Sequence, residues 1–505
     1  MFSGKNKLFL CTLLISISLL TACAPRRQPD LNRIFLASRQ TKGKSPIIII
    51  PGILGSQLIN KRTGERVWPR GSRSKDDDLE LPVSPNIKEN SDDLIATDIL
   101  YTAKVALLLP EIEVYHELLM VLENNAGYKR ASIDNPPPDG DRDTYYVFYY
   151  DWRRDNVETA QLLGQKIRAI KERLGRPGLK FSIVAHSMGG LIARYYAMYG
   201  ARDVLDEPAP VADWSGARDI NKLIMVGTPN EGSMEALKTL VEGYSITGGD
   251  RRRFAIAKKL EADTAFTLPS VYQLLPNSNI AQFYDDNLRP LALDLYDVST
   301  WRDNRWTIFN KNYQQKIAKR MRKQHGEDWE RHYDDFFAGR ASFLKAALAR
   351  AQQFHRALSN PSAQQPIDAR LFIFGGDCEP TLRAPIISRD QTGVRTYFRS
   401  KSVPVKDGKL TRKAFQEAMF EPGDGRVTRR SLLAWRPGEN RGDRLFPSSL
   451  GLSYAVFGCE IHGDLPNNPT FQNNVLTLLV NDARPSSGET KAAGSATDKK
   501  TSHPN

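Results

Sequence analysis

The segment around Ser187 constrains the fold of this chain more than any other part of its sequence. An apolar run at residues 180–185 has the pattern of a buried strand, and residues 189–199 have helical periodicity. The turn between them, Ala185-His186-Ser187-Met188-Gly189, follows the pattern of a nucleophile elbow, with Ala185 in place of the first glycine. Such a turn is strained, needs small neighbours, and lifts the serine hydroxyl above a sheet. We therefore interpret Ser187 as a nucleophile.

Short apolar runs recur along the chain and alternate with helical patterns. Further runs of this kind lie at residues 46–51, 145–150, 222–226, 370–374 and 453–457. We expect them to be buried on both faces, as the strands of a parallel sheet covered by helices must be. The pattern predicts an α/β fold of the α/β-hydrolase type, a mostly parallel sheet flanked by helices, over residues 45–484.

One long interruption separates two of these runs. Residues 230–366 have no convincing series of strands, but they contain basic helical stretches at residues 313–323 and 334–358. Ligands bind at the carboxyl ends of the strands in open α/β sheets. An insertion at this point would cover those ends, so we expect a large helical cap.

An activated serine also needs an oxyanion hole made by two backbone amides. Met188 follows the nucleophile and should supply one of them. The other should come from a loop after an earlier strand, and the glycine-containing loop at residues 51–56 has that position. We favour the amide of Ile53, with Leu54 as the alternative.

The general base can be found by elimination, because the chain has seven histidines. In an α/β-hydrolase the order along the chain is serine, acid, histidine. Only His462 follows the last apolar run and precedes a helical pattern, which makes it the candidate base. The others lie before the serine, inside the elbow, in the basic insertion or in the tail: His116, His186, His325, His332, His355 and His503.

Two aspartates compete for the role of the acid that orients the histidine. Asp377 directly follows an apolar run, which favours it by position on the sheet. Asp424 lies in the glycine-flanked turn Gly423-Asp424-Gly425, which favours it by loop chemistry. Both could equally be helix caps or turn residues, so these residues alone leave the acid open.

The amino terminus has the pattern of a secretory leader. Lys5 and Lys7 precede an apolar run at residues 8–20, which is short for a membrane span but fits a signal-peptide core. The sequence Leu20-Thr21-Ala22-Cys23 resembles the lipobox of bacterial lipoproteins. That resemblance implies a signal peptide at 1–22, lipidation of Cys23, and a lipid-anchored protein of the bacterial cell envelope, at the outer membrane facing the periplasm. Residues 23–44 would then be a tether, and the polar residues 485–505 a disordered tail.

Beyond the leader, two cysteines remain, Cys378 and Cys459. In an oxidising compartment this even pair suggests a disulfide, which could brace the loops after the final two strands. No metal-ligand spacing is present, and we expect neither a metal nor a cofactor. The net charge of +13 favours anionic surfaces such as phospholipid headgroups. We find no nucleic-acid recognition motif and expect no nucleic-acid partner.

Together these motifs resemble the lecithin:cholesterol acyltransferase family, which also contains lysosomal phospholipases and diacylglycerol acyltransferases. Six matches come in the family's order: residues 51–58, residues 150–153, residues 185–190, residues 269–276, Gly423-Asp424-Gly425-x-Val427, and His462. The resemblance favours Asp424 as the acid, since the family's acid lies in a Gly-Asp-Gly-x-Val motif. It implies acyl-enzyme chemistry on lipid esters, with phospholipids as the expected substrates and water or an alcohol as the acceptor.

The resemblance is not complete. Arg426 stands where relatives usually have a small hydroxyl residue, and the strongly basic stretch from Trp301 to Leu358 does not align with the family. Two other interpretations therefore stay open at this stage. One is an esterase or thioesterase of non-lipid substrates, and the other is a non-catalytic envelope lipoprotein that uses the fold as a binding scaffold.

Overall fold

Seven parallel strands form the central sheet of the computed structural model, which describes residues 28–69, 79–103, 112–245, 259–359, 370–405, 410–435 and 450–481. Across the sheet the strands follow the order β7-β6-β5-β4-β1-β3-β2, and every neighbouring pair is parallel. In chain order they are β1 Ile47–Ile50, β2 Lys129–Ala131, β3 Thr144–Val147, β4 Phe181–His186, β5 Ile220–Val226, β6 Arg370–Gly376 and β7 Leu452–Gly458.

The inner strands are apolar because helices cover both of their faces. All four isoleucines of β1 are buried, and β1 pairs with β3 on one side and β4 on the other. The helices of eight residues or more in the described ranges are α1 His116–Asn124, α2 Asn156–Arg173, α3 Met188–Tyr199, α4 Met234–Glu242, α5 Lys311–His325, α6 Trp329–Leu358, α7 Arg412–Met419 and α8 Pro469–Val480.

Shorter elements surround this framework. Short α-helices lie at Leu31–Ile34, Ala262–Phe266, Pro269–Tyr272, Val298–Asp303 and Arg429–Leu432. Single 3-10 turns lie at Ile87–Glu89, Gly216–Asp219, Thr307–Phe309, Gly326–Asp328, Ser400–Ser402 and His462–Asn467. Strands outside the central sheet lie at Ser56–Asn60, Arg66–Trp68, Leu94–Ile99, Thr102–Ala103, Ile112–Glu113, Tyr244–Ser245, Lys259–Leu260, Tyr284–Asp285, Glu379–Leu382, Ile386–Asp390, Gly393–Tyr397 and Phe420–Gly423.

The chain between β5 and β6 is mainly helical in its described parts and packs back onto α3. The Tyr199 hydroxyl donates to the carbonyl of Ala357 at 2.8 Å, and the Arg194 guanidinium donates to the carbonyl of Leu358 at 2.5 Å. Both acceptors lie at the carboxyl end of α6, the longest helix described. Two hydrogen bonds therefore hold α3, the helix that follows Ser187, against the end of the insertion.

The edges of the sheet differ from what the apolar runs suggest. The edge strand β2 was not predicted, because Lys-Arg-Ala has no apolar pattern and only three residues. The opposite edge strand, β7, was expected to be buried on both faces, and this is wrong. Tyr454 is 38% exposed, since β7 has a neighbouring strand on one side only.

The folded part also begins before the expected boundary at residue 45. Phe35 is buried, and Lys44 is fully buried with its ammonium 2.6 Å from the Asp143 carboxylate. These contacts fix residues that the sequence suggested were a polar tether. The expected signal peptide, Cys23 and the tail at 485–505 lie outside the described residues. Within the described ranges, no helix has the length and apolarity that crossing a bilayer requires.

Candidate active site

Ser187 lies at the sharp turn between β4 and α3. Its φ is 54°, a left-handed conformation that few residues other than glycine adopt. The Ser187 N–H donates to the carbonyl of Val226 on β5 at 2.8 Å, which ties the turn to the neighbouring strand. A Cβ atom at Gly189 would lie 2.5 Å from the Pro51 carbonyl oxygen. The strained turn and the close packing explain the small residues of the elbow.

His462 reaches the nucleophile from the loop after β7. Its Nε2 lies 2.9 Å from Ser187 Oγ, a hydrogen-bond distance. The side chain is 15% exposed, so the imidazole ring meets solvent at its edge only. Gly227 passes beside the ring, where an added Cβ atom would lie 3.1 Å from His462 Cε1. The structure therefore brings the two predicted residues together although 275 positions separate them in the chain.

Asp424 hydrogen-bonds the His462 imidazole and completes a row of three side chains, Ser187, His462 and Asp424. Its Oδ2 lies 2.8 Å from His462 Nδ1, and the carboxylate is 1% exposed. Its Oδ1 accepts hydrogen bonds from the N–H groups of Arg426 and Val427, at 2.9 and 2.7 Å. The His462 N–H donates to the Asp424 carbonyl at 2.9 Å, so the backbones of the two loops are also joined. With a carboxylate at Nδ1, that nitrogen carries the proton and Nε2 can accept one from Ser187.

A short antiparallel pair of strands carries Asp424 back to the end of the sheet. Glu379–Leu382 pairs with Phe420–Gly423, and the Gly425 N–H donates to Thr381 Oγ at 2.8 Å. Asp377, the competing candidate, is not in the row. Its carboxylate is 30% exposed and lies 3.7 Å from the guanidinium of Arg429. The loop turn, rather than the strand end, therefore presents the acid to the histidine.

Cys378 and Cys459 are joined by a disulfide in the structure. Cys378 comes two residues after β6 and Cys459 one residue after β7, so the bond connects two neighbouring strand ends. Glu460, which follows Cys459, lies against Gly376: a Cβ atom at that glycine would be 2.3 Å from the Glu460 carbonyl oxygen. The disulfide holds together the starting points of the loops that present the acid and the base.

A second histidine, His186, lies against the backbone of His462, and the sequence did not predict this contact. His186 Nε2 lies 3.1 Å from the His462 carbonyl oxygen, and His186 Nδ1 lies 2.8 Å from the Tyr115 hydroxyl. The Gly52 N–H in turn donates to the Tyr115 oxygen at 2.8 Å. A carbonyl can only accept, so Nε2 carries the proton and Nδ1 accepts from the tyrosine. The chain of bonds links the loop beside the serine to the backbone of the base.

This layer is uncharged at neutral pH. Burial lowers the pKa of His186 to about 3, and the neighbouring His462 adds to the effect. Burial also raises the pKa of the Tyr115 hydroxyl above its usual range, so it keeps its proton. The signal that could have found His186 is the alternation of a strand: its side chain must point to the opposite face from that of Ala185.

The expected oxyanion donors lie beside Ser187. Met188 is the first residue of α3, so its N–H has no carbonyl one helical turn earlier to bond with. The loop that contains Ile53 runs close to the nucleophile, because a Cβ atom at Gly52 would lie 2.8 Å from Ser187 Cβ. Leu54, the alternative donor, has a φ of 64°. The loop and the start of the helix therefore both lie next to Ser187.

The sequence of this chain also matches a known protein family over most of its length. A model of the family described as "Lecithin:cholesterol acyltransferase" matches residues 75–431. The chain belongs to the lecithin:cholesterol acyltransferase family. The matched range includes Ser187 and Asp424, whereas His462 and the loop that contains Ile53 lie outside it.

Individual known proteins are also similar to this chain. "Phospholipase A(1) LCAT3" of Arabidopsis thaliana is 24% identical over 264 residues, which are 46% of this chain and 52% of the relative. The chain therefore spans about half the length of this relative. The crystal structure of the Tle4–Tli4 complex matches 87% of this chain and 99% of its own with a TM-score of 0.51 and 15% identity. Lipase 1 from Pelosinus fermentans matches 88% and 100% with a TM-score of 0.32 and 13% identity.

The fold expectation is confirmed. A central parallel sheet flanked by helices, with a serine at a strand-to-helix elbow, is the α/β-hydrolase arrangement.

The family-like segment at residues 150–153 has a structural role. Arg153 is fully buried and donates to the carboxylates of Asp151 and Asp92, at 2.8 Å and 2.7 Å. Tyr150 donates to the carbonyl of Pro51 at 2.8 Å, which supports the loop beside Ser187. Because both carboxylates are already paired with Arg153, this segment supports the loop beside Ser187 through internal contacts.

Arg426, which departs from the family pattern, joins the acid loop to the insertion. Its guanidinium lies 2.9 Å from the Glu235 carboxylate on α4 and 4.5 Å from the centre of the Tyr244 ring. Its carbonyl accepts a hydrogen bond from the Ser233 hydroxyl at 2.5 Å. A small hydroxyl residue could not make the ion pair or the ring contact. In this member of the family, the first helix of the insertion is therefore coupled to the residues around Asp424.

Proposed function

We propose that this protein is a serine-dependent acyl-ester hydrolase or O-acyltransferase that acts on lipids, with phospholipids as acyl donors. The row Ser187–His462–Asp424, with successive distances of 2.9 and 2.8 Å, carries the proposal. Membership of the lecithin:cholesterol acyltransferase family supports a lipid ester as substrate. The printed name of the Arabidopsis relative, a phospholipase A(1), supports a phospholipid.

Acylation would begin at the serine. His462 Nε2 takes the Ser187 hydroxyl proton while Oγ attacks the ester carbonyl carbon. Asp424 keeps the imidazole in the required tautomer and stabilises the imidazolium that forms. The amides of Ile53 and Met188 stabilise the negative charge on the carbonyl oxygen. The tetrahedral intermediate then expels the alcohol of the ester, which takes the proton from His462, and an acyl-enzyme remains.

Deacylation would reverse the roles. Water or an acceptor alcohol enters where the first alcohol left, and His462 takes its proton as it attacks the acyl carbon. The product is a free fatty acid with water or a new ester with an alcohol. Ser187 recovers its proton from His462 at the end, so the protein is unchanged. These steps need no metal ion and no cofactor.

Labelling with a fluorophosphonate tests for the activated serine. The wild-type chain is expected to be labelled, and Ser187→Ala and His462→Ala should each abolish the label. His116→Ala serves as the matched histidine control, since His116 lies at the start of α1, outside the row. Equal labelling of His462→Ala and wild type, both folded by circular dichroism, would show that His462 is not the base.

Substrate choice separates this proposal from an esterase or thioesterase of non-lipid substrates. We expect release of fatty acid, or transfer to an added alcohol, from phospholipid vesicles, measured by mass spectrometry. Turnover of short soluble esters or thioesters without any turnover of vesicle lipid would favour the alternative. A folded protein with no reaction on any ester would favour the binding scaffold.

We also propose that Cys23 is lipidated and anchors the protein at the outer membrane. The motif Leu20-Thr21-Ala22-Cys23 supports lipidation, and Ala24, which follows the cysteine in place of an aspartate, supports the outer membrane. Metabolic labelling with a palmitate analogue in a bacterial host tests it. We expect labelled wild type and an unlabelled Cys23→Ser variant, whereas Cys11→Ser, a change in the same leader, should keep the label.

A further inference from the structure

A stripe of four basic side chains runs along one side of α5. Lys316, Lys319, Arg320 and Lys323 are all exposed, and their spacing of three, four and seven residues places them on one face of the helix. The whole of α5 contains six lysines and arginines and no acidic residue. We call these four residues the cationic stripe.

The opposite side of α5 fixes the direction in which the stripe points. Ile317 is 1% exposed and Met321 is 7% exposed, so both are packed against the body of the insertion. The Tyr313 ring lies 6.1 Å from the ring of Phe337 on α6, which holds the two helices together. The stripe is therefore presented to solvent by a helix that cannot turn it inward without exposing its own apolar side.

The stripe is almost uncompensated within the protein. Lys316 lies 3.1 Å from Asp263, and the two side chains are 71% and 31% exposed, so solvent weakens this pair. For Lys319, Arg320 and Lys323, no carboxylate of the described ranges lies within ion-pair distance. Like charges three and four residues apart repel one another on a helix. An anionic partner would remove this repulsion and would therefore stabilise the helix.

Two arginines of α5 also lie over aromatic rings of α6. The Arg322 guanidinium is 4.1 Å from the centre of the Trp329 ring, and that of Arg320 is 5.1 Å from the Phe336 ring. Trp329 is half-buried at the start of α6. A tryptophan beside basic side chains is typical of the boundary between lipid headgroups and acyl chains.

We propose that the cationic stripe binds the surface of an anionic phospholipid bilayer. The lysine ammonium groups would contact lipid phosphates, and the helix would lie along the surface. The choice of a bilayer over a nucleic acid rests on the proposed function, because an enzyme of lipid esters must meet its substrate in a lipid aggregate. This docking is separate from lipidation of Cys23, and adds a second contact with the membrane.

Vesicle binding tests the stripe directly. The chain from residue 24 onward, which keeps every described residue, is used with Ser187→Ala so that it cannot alter the lipid. Binding to vesicles of phosphatidylglycerol and phosphatidylcholine is compared with binding to phosphatidylcholine alone. The variant Lys316→Gln/Lys319→Gln/Lys323→Gln keeps both arginine–aromatic contacts. The control Arg168→Gln/Arg173→Gln/Lys180→Gln removes three exposed charges elsewhere.

We expect the stripe variant to bind anionic vesicles roughly 100-fold more weakly than the parent, from about a fivefold contribution per lysine. The control should bind nearly as the parent does, and 0.5 M salt should remove most of the difference. Equal loss in both variants, or equal binding of the parent to neutral vesicles, would overturn the proposal. Stripe-dependent binding to duplex DNA that exceeds binding to anionic vesicles would also overturn it.

Hydrolysis of a soluble short-chain ester separates this proposal from the proposed function. With Ser187 restored, the stripe variant should hydrolyse that ester as fast as wild type, because α5 carries none of the catalytic row. If neither protein hydrolyses any ester while stripe-dependent binding persists, the enzyme assignment fails and the docking stands. If hydrolysis is normal but the stripe makes no difference to binding, the docking fails alone.

Discussion

The neutral histidine beneath the active site should make the protein less stable in mild acid. In the unfolded chain, His186 has an ordinary pKa of 6.5, whereas burial lowers it to about 3 in the folded protein. Between these two values the unfolded state binds a proton that the folded state does not. Unfolding is therefore favoured as the pH falls through this window, and the stability contributed by neutral His186 is fully present only above it.

The size of the effect follows from the two pKa values. Each pH unit inside the window lowers the free energy of unfolding by up to about 1.4 kcal/mol. From pH 6 to pH 4 the contribution of His186 should fall by about 2–3 kcal/mol. That is a large share of the 5–15 kcal/mol that stabilises a typical folded protein. The Tyr115 hydroxyl, the His462 carbonyl and the His462 ring face His186, and none of them carries a negative charge.

Urea unfolding of wild type and His186→Gln at pH 4, 5, 6 and 7 measures this contribution. Glutamine can donate to the His462 carbonyl but does not titrate, so the variant is offset in stability at every pH. The other titrating groups contribute alike to both proteins, so the difference in unfolding free energy isolates His186. We expect the advantage of wild type to shrink steadily below pH 6.5. Two parallel stability curves would refute the reasoning, since they would mean that His186 is protonated in the folded state.

Three further predictions concern the loops around the base. Asp424→Asn should lower kcat by roughly 10⁴-fold, because an amide favours the wrong imidazole tautomer. The control Asp377→Asn should keep a kcat close to that of wild type. The reverse result in steady-state assays would exchange the roles of the two aspartates. Gly227→Ala should destabilise the fold by about 1–3 kcal/mol and lower kcat, since φ is 62° and the methyl group meets the base; an unchanged melting temperature and kcat would contradict this. Cys378 and Cys459 are 81 positions apart, and replacing both with serine should lower the free energy of unfolding in urea by roughly 4 kcal/mol. Activity should also fall. A variant equal to wild type in both measurements would show that the disulfide does not brace the loops.

Local patterns predicted the elements that carry the site with little error. The helix expected at residues 189–199 is α3, Met188–Tyr199, and the strand expected at 180–185 is β4, Phe181–His186. Such elements have strong periodicity and a buried face, so their positions follow from the residues themselves. The position of the edge strand β2 does not, because its three residues Lys-Arg-Ala have no apolar pattern.

The choice of the acid shows the limit of local reasoning. Asp377 and Asp424 both have plausible positions, and only a family resemblance separated them. In the structure, the strand pair Glu379–Leu382 and Phe420–Gly423 folds the chain back so that Asp424, not Asp377, faces the histidine. That pairing depends on contacts between residues about forty positions apart, which no short window contains.

What the sequence determined by itself is the chemistry at short range: the elbow that strains Ser187, the glycines around it, and the order of serine, acid and histidine. Each follows from backbone sterics or from strand and helix periodicity, which act within a few residues. The tertiary structure alone decided what lies behind these groups. His186 was set aside in the sequence because it lies inside the elbow, yet folding places it between Tyr115 and the His462 backbone. Burial there, which depends on residues from three distant segments, is what keeps it neutral.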